Sequence, residues 1–348
     1  MNYPFKFKAA ILEEIGKPLL LRDIQFRGPL NDGQILVKLF YSGICGKQID
    51  EIIGNCGKDK FLPHLLGHEG SGVVIDKGPK VTKVKKGQNI ILHWRKGSGI
   101  QSEVPFYFID DLLINAGWVT TFNEYAVVSE NRVTAIPIDC DMKLASLFGC
   151  VITTSYGVIF NDVKIKPSDN VLIYGAGGVG LCAIQAANYF NPKHLIAIDR
   201  NDEALKYARK MGADSVINNS KENVSVAIDK ITGKKTAEKV LICTGDLTAI
   251  EEAIECTSIP GECFFMGVPP KGGKITIEAN PIMHERNLIG SLGGNTYPDK
   301  DIPKYFELHS NGSVDLSKLI SHVDEFSNIN ACINKIRNGS TGRFILKF

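Results

Sequence analysis

Between Asn170 and Pro192 the chain carries no charged residue, and part-way along the pattern changes from a continuous apolar run to helical spacing. Glycines, Gln185 and Asn188 interrupt the stretch, so a buried strand, turn and helix explains it and a membrane span does not. The turn reads Gly175-Ala-Gly177-Gly178-Val179-Gly180, a G-x-G-x-x-G directly between strand and helix. Each glycine has a mechanical task. Gly175 makes the tight turn, Gly177 lets backbone approach a pyrophosphate, and Gly180 allows helix to pack on sheet. Gly178 and Val179 open the helix, whose free N–H groups and dipole favour phosphate. Asp199 follows about 20 residues later, at the end of the next apolar run, where a carboxylate accepts from a ribose 2′-hydroxyl. That pattern favours NAD over NADP. Arg200, next to it, is the one feature that would suit a 2′-phosphate, and another adenosine-containing ligand is the alternative occupant.

The rest of the chain extends this beginning in both directions. Strands are expected at Asn170–Tyr174, His194–Asp199, Ser215–Asn218, Lys239–Cys243 and Cys263–Val268, with helices from Gly178, Asn201 and Leu247 between them. Such alternation specifies a doubly wound parallel sheet. The first 140 residues instead hold short apolar runs separated by Gly, Pro and Asn, as in a barrel-like β domain. The fold class is therefore α/β, and 348 residues suit two domains. A net charge of +2 with no basic block excludes a nucleic-acid footprint. Nine cysteines without any C-x-x-C pair read as reduced thiols, some of them metal-bound, in a cytoplasmic protein, and the N-terminus lacks the apolar stretch of a signal peptide.

Cys45, His68, Glu69 and Cys150 have no zinc-like spacing, and each alone reads as an ordinary core or structural residue. Their contexts are more specific: Ser42-Gly-Ile-Cys-Gly46, Leu66-Gly-His-Glu-Gly70, and Phe148-Gly-Cys150 followed by Thr153-Thr-Ser-Tyr-Gly157. In that order, ahead of the glycine-rich turn, these fragments resemble the zinc-dependent medium-chain alcohol dehydrogenases, and Phe122-Asn-Glu-Tyr125, Met266-Gly-Val-Pro-Pro270 and Gly342-Arg-Phe-Ile-Leu346 extend the resemblance along the chain. The resemblance implies a GroES-like catalytic domain from residues 1–151 and 293–348, and a Rossmann domain from 152–292. It implies one catalytic Zn²⁺ on Cys45, His68 and Cys150, with Glu69 as an alternative ligand or a carboxylate behind the ligands. It also implies NAD contacts from Thr154, Val179, Arg200, Gly245, Val268 and Arg343, and a substrate pocket lined by Trp94. Hydride would pass between NAD(H) and a small-molecule alcohol, of secondary, polyol or sugar type, or its carbonyl form. Relatives are homodimers or homotetramers. A zinc-free quinone or enoyl reductase and a non-catalytic dinucleotide sensor are the competing functions.

The sequence also departs from that family. No cysteine lies between 57 and 139, so the four-cysteine structural zinc of many relatives is excluded. Gln48 stands where relatives carry the carboxylate that orients the ligand imidazole. Lys47 replaces the usual hydroxyl of the proton relay, and burial beside a cation is expected to bring its amine toward neutrality, or else leave it a fixed cation. Arg95-Lys96-Gly97-Ser98-Gly99 follows Trp94, and two cations on glycine backbone suggest an anion-binding nest.

Overall fold

The computed structural model describes residues 3–348. The alternating region forms a six-stranded parallel sheet in the order Ser215–Asn218, His194–Asp199, Asn170–Tyr174, Ala237–Ile242, Thr257–Phe265 and Arg286–Gly290. The central strand Asn170–Tyr174 is wholly buried, because helices cover both faces of the sheet. Its register pairs Tyr174 with Ile198 on one side and Ile242 on the other, so three strand ends open together at the glycine-rich turn. Ligands of open α/β sheets bind at this carboxyl edge. Sequence reasoning starts the strand Thr257–Phe265 late, at Cys263, and runs it on to Val268; it misses the helix Val224–Thr232, whose apolar face is only partly periodic, and the edge strand Arg286–Gly290.

The N-terminal region builds two further sheets, of five and seven strands, that are mostly antiparallel and barrel-like. The long strand Gln34–Gly43 is the hub of the seven-stranded sheet. It pairs with Glu69–Lys77, with Tyr125–Ser129 and, from the other end of the chain, with Arg343–Lys347. Ile345 lies opposite Gly43, which fastens the C-terminal segment next to Cys45. The strand Leu20–Phe26 and the hairpin Tyr107–Ile109 with Leu112–Ile114 lack clean alternation and were not expected. The helices Gly46–Ile53, Pro298–Ser310 and Ile329–Arg337 also exceed the sequence reading. Among the described residues no single helix is long and apolar enough to cross a membrane.

Candidate active site

Three elements deliver the candidate ligands. Cys45 precedes the Gly46–Ile53 helix, His68 sits just before the strand Glu69–Lys77, and Cys150 precedes the helix Val151–Gly157. Their Sγ, imidazole nitrogen and Sγ all lie within 4.8 Å of one another, with His68 Nε2 3.2 Å from Cys150 Sγ. Both cysteines are buried. Hydrogen bonding with Cys150, and the neighbouring His68 and Arg343, hold the Cys45 thiol well below its ordinary value despite burial. The bond to Cys45, burial and the adjacent negative charge push Cys150 up. Two buried sulfurs that compete for one proton beside an imidazole are a donor set suited to a divalent zinc ion, with a fourth position open.

Gln48, one turn into the Gly46–Ile53 helix, presses its side-chain amide on His68 Nδ1. An imidazole that gives Nε2 to a metal keeps its proton on Nδ1, and only the amide oxygen can accept it. With the amide nitrogen facing the ring, Gln48 Oε1 is buried without a partner. A half-turn of the amide brings that oxygen to Nδ1–H, as a bound metal requires.

Glu69 is not among the converging ligands. Its carboxylate is fully buried, pairs with the Arg343 guanidinium, and accepts from the Val151 amide at 3.2 Å. Of the two readings of Glu69, the geometry favours the carboxylate behind the ligands, engaged with the buried arginine and with the amide next to Cys150. Arg343 in turn lies against the cofactor loop, since a Cβ on Gly178 would meet its Cδ at 2.7 Å. A Cβ on Gly177 would meet no protein atom within 4 Å and would project into open space, which is the cradle a phosphate needs. On Gly180 it would overlap the Gly175 carbonyl oxygen, while Gly175 itself has a φ of +91°. The helix from Gly178 has no side-chain cap, so its first N–H groups remain available to a ligand.

The Asp199 carboxylate accepts from the Ala176 amide at 2.7 Å and the Asn201 amide at 2.9 Å, and lines a cavity of ≈ 210 Å³ with Arg200. A larger cleft of ≈ 620 Å³ lies between the two halves of the molecule and brings Lys47 and Cys56 to face Arg200, Gly245 and Val268. Gly245 is required there, because a Cβ would overlap the Val268 carbonyl. The same cleft includes Thr244, Asp246 and Lys271, which sequence reasoning missed. Their signal was position, just beyond the carboxyl end of a parallel strand. Thr154, one helical turn after Cys150, sets its buried hydroxyl beside the Cys150 sulfur, and the Val179 carbonyl accepts from Ser155 at 3.0 Å.

Two expectations need correction. Burial does act to lower the Lys47 pKa, but bonds to Cys56 at 2.8 Å and Glu51 at 3.1 Å outweigh it and leave the amine raised. The backbone of the Arg95–Gly99 loop is not a vacant nest. The Ser98 amide donates to Asp299 at 2.6 Å, and the Gly97 amide to the Asn131 carbonyl at 2.8 Å. The anion in that loop is the protein's own Asp299. Trp94 lies beside the ligands, its amide donating to the carbonyl of Gly149 at 3.2 Å. A second convergence, of His322, Asp324 and Cys332, has the Lys335 ammonium beside it, 3.3 Å from His322 Nε2.

Two family models match the chain: an alcohol dehydrogenase GroES-like domain over residues 31–138 and a zinc-binding dehydrogenase over 178–311, together more than half of its length. The chain belongs to the zinc-dependent medium-chain alcohol dehydrogenase family. It is an oxidoreductase of the alcohol dehydrogenase type, and zinc and NAD are the cofactors of that assignment. It is similar to an S-(hydroxymethyl)glutathione dehydrogenase of Synechocystis sp., at 27% identity over 99% of this chain and 100% of the relative. An alcohol dehydrogenase class-2 isozyme 2 of Oryctolagus cuniculus is likewise 27% identical, over 98% of this chain and 97% of that protein. Among solved structures, a benzyl alcohol dehydrogenase from Acinetobacter calcoaceticus superposes with a TM-score of 0.89 at 25% identity, covering 99% of both chains. The family's barrel-like and Rossmann architecture is the one described above.

Proposed function

We propose that this dehydrogenase transfers hydride between NAD(H) and a secondary or polyol-type alcohol, or its carbonyl form, at a zinc site formed by Cys45, His68 and Cys150. The observation that carries the reading is the approach of those three ligand atoms to within 4.8 Å of one another from three separate elements. Zinc at these ligands supplies Lewis acidity toward an alcohol or carbonyl oxygen. Gln48 fixes the His68 ring, and Glu69 holds Arg343 against the Gly178 end of the cofactor loop. Thr154 and Val179 back the nicotinamide, Trp94 lines the substrate side, and Asp199 with Arg200 receives the adenosine ribose. Lys47 acts as a fixed cation on the cleft, a role its bonds to Glu51 and Cys56 support.

Residues 1–151 with 293–348, and residues 152–292, are proposed as the two domains; the pairing of Arg343–Lys347 with Gln34–Gly43 supports the return of the chain to the first. Nine free cysteines support a reducing, cytoplasmic setting. The sheet-edge strand Arg286–Gly290, flanked by exposed Met283 and Leu292, supports a homodimer or homotetramer. The test is metal analysis beside an alcohol-oxidation panel. One zinc per chain is expected, and its removal by a chelator should abolish NAD-dependent turnover while the circular dichroism spectrum is unchanged. Turnover that survives chelation would identify a zinc-free reductase, and NADH binding without turnover on any alcohol would identify a sensor.

A further inference from the structure

A cavity of ≈ 490 Å³ is walled by Trp94 and Trp118 and carries Arg95, Lys96 and Arg132, with no carboxylate in its lining. It adjoins the zinc ligands through the backbone. Trp94 bonds to the residue before Cys150, and His93 is paired in register with Glu69, the residue after His68. The guanidiniums are oriented by carbonyls rather than by carboxylates. Arg95 donates from Nε to the Thr296 carbonyl at 3.1 Å and from Nη1 to the Leu292 carbonyl, and Arg132 donates to the Trp94 carbonyl. Carbonyl partners fix a guanidinium in place without themselves supplying a countercharge. Each also lies over an indole, Arg95 at 5.4 Å from Trp94 and Arg132 at 5.4 Å from Trp118. The Trp118 N–H donates to the Ser102 carbonyl at 3.0 Å, which holds that ring edge and presents its face. Arg132 has a buried Nε without a partner. Burial acts against the charge of both arginines, and each repels the other; Asp162 and Asp301 attract Arg95 from outside the lining.

We propose that this cavity binds the phosphate monoester of a phosphorylated polyol or sugar, placing the alcohol carbon of that substrate beside Cys150. A dianion matches paired guanidiniums plus Lys96 better than a single carboxylate does, and arginine recognises phosphate through forked hydrogen bonds. The indole faces suit the C–H faces of a carbohydrate chain. The proposal rests on the dehydrogenase reading above and names the substrate class of that same site.

The test uses the zinc-loaded protein with NAD and two matched pairs, ribitol with ribitol 5-phosphate and sorbitol with sorbitol 6-phosphate. At least one phosphorylated member should show a kcat/KM tenfold or more above its neutral partner, and the ratio should shrink as salt rises. Arg132→Gln should reduce that preference tenfold or more. Because Arg132 also holds the Trp94 carbonyl, the exposed Lys96→Glu serves as a second variant and should reduce the preference at least fivefold. Neutral polyols used as well as or better than their phosphates, or Lys96→Glu without effect on the ratio, would overturn the proposal. Calorimetry with glycerol 3-phosphate against glycerol, on the NADH-loaded protein, separates this question from turnover. Saturable binding of the phosphate alone, weakened by Lys96→Glu, supports the subsite even where no alcohol is oxidised. Equal or undetectable binding of both, in that same case, removes it.

Discussion

At the glycine-rich turn, Gly175, Gly177 and Gly180 strip the cofactor side of the molecule down to backbone, whereas around Trp94 the substrate side is crowded with two indoles and two guanidiniums. The first region presents amide dipoles that need no side chain to aim them. The second aims long side chains by tying them to carbonyls far away in sequence, as Arg95 does at Leu292 and Thr296. A backbone site tolerates almost no change at a few positions, because a single Cβ fills it. A side-chain site can be retuned one residue at a time, which suits a region that selects among substrates.

The largest effect expected from this contrast is at Gly180. Gly180→Ala would overlap the Gly175 carbonyl oxygen, so the turn must shift, and NADH binding measured by cofactor fluorescence should fall by more than about a hundredfold. Gly177→Ala meets no protein atom, and its residue has an ordinary φ of −75°, so stability should change by less than about 1 kcal/mol. NADH affinity should nevertheless drop, since the added methyl occupies the phosphate's space. If Gly177→Ala binds NADH as the native protein does, the bare backbone is not the phosphate cradle.

The same contrast explains what the sequence makes legible. Asn170–Tyr174 and His194–Asp199 are found to the residue, since a parallel strand buried on both faces is a continuous apolar run and its glycine turn has fixed spacing. The ligands Cys45, His68 and Cys150 could be named from local context but not from spacing, because three distant strands and helices assemble them. For Glu69 and Lys47 the sequence left two roles open, and for one reason. Their partners, Arg343 in the one case and Cys56 with Glu51 in the other, depend on how segments pack, and no local pattern announces that. Arg132 gave no signal at all. Its role comes from the indole and carbonyl it meets, and Asp299 reached the Ser98 amide from a helix the sequence did not reveal.

A smaller effect probes the support beneath the crowded side. His93 is fully buried, its Nδ1–H donating to the Arg95 carbonyl at 2.6 Å, and burial holds its pKa at about 4. In the unfolded chain a histidine titrates near ~6.5. Between those values the unfolded state binds the extra proton, so stability rises with pH there and is lost as pH falls from about 6.5 toward 4. Taken alone, this residue should cost roughly 2–3 kcal/mol across that window. Denaturant titrations at pH 7 and pH 4.5 should show a smaller difference for His93→Gln than for the native chain. An equal difference would mean that His93 is not neutral in the folded state.

Lys47 sits where the two kinds of wall meet, and it carries the smallest expected effect. Its ammonium is held 3.1 Å from Glu51 Oε1 and 2.8 Å from Cys56 Sγ, on the cleft shared with Arg200, Gly245 and Val268. Those two bonds outweigh burial and raise its pKa, which favours a standing charge over the proton-acceptor role. What remains is a fixed positive charge next to an anionic dinucleotide. A half-exposed cation of this kind contributes about 1 kcal/mol to an anion, because solvent screens it. Lys47→Met should therefore raise the KM for NAD about fivefold, most clearly at low salt, and leave the alkaline limb of the pH–rate profile where it was. A loss of kcat with a displaced alkaline limb, at unchanged KM for NAD, would return Lys47 to proton transfer.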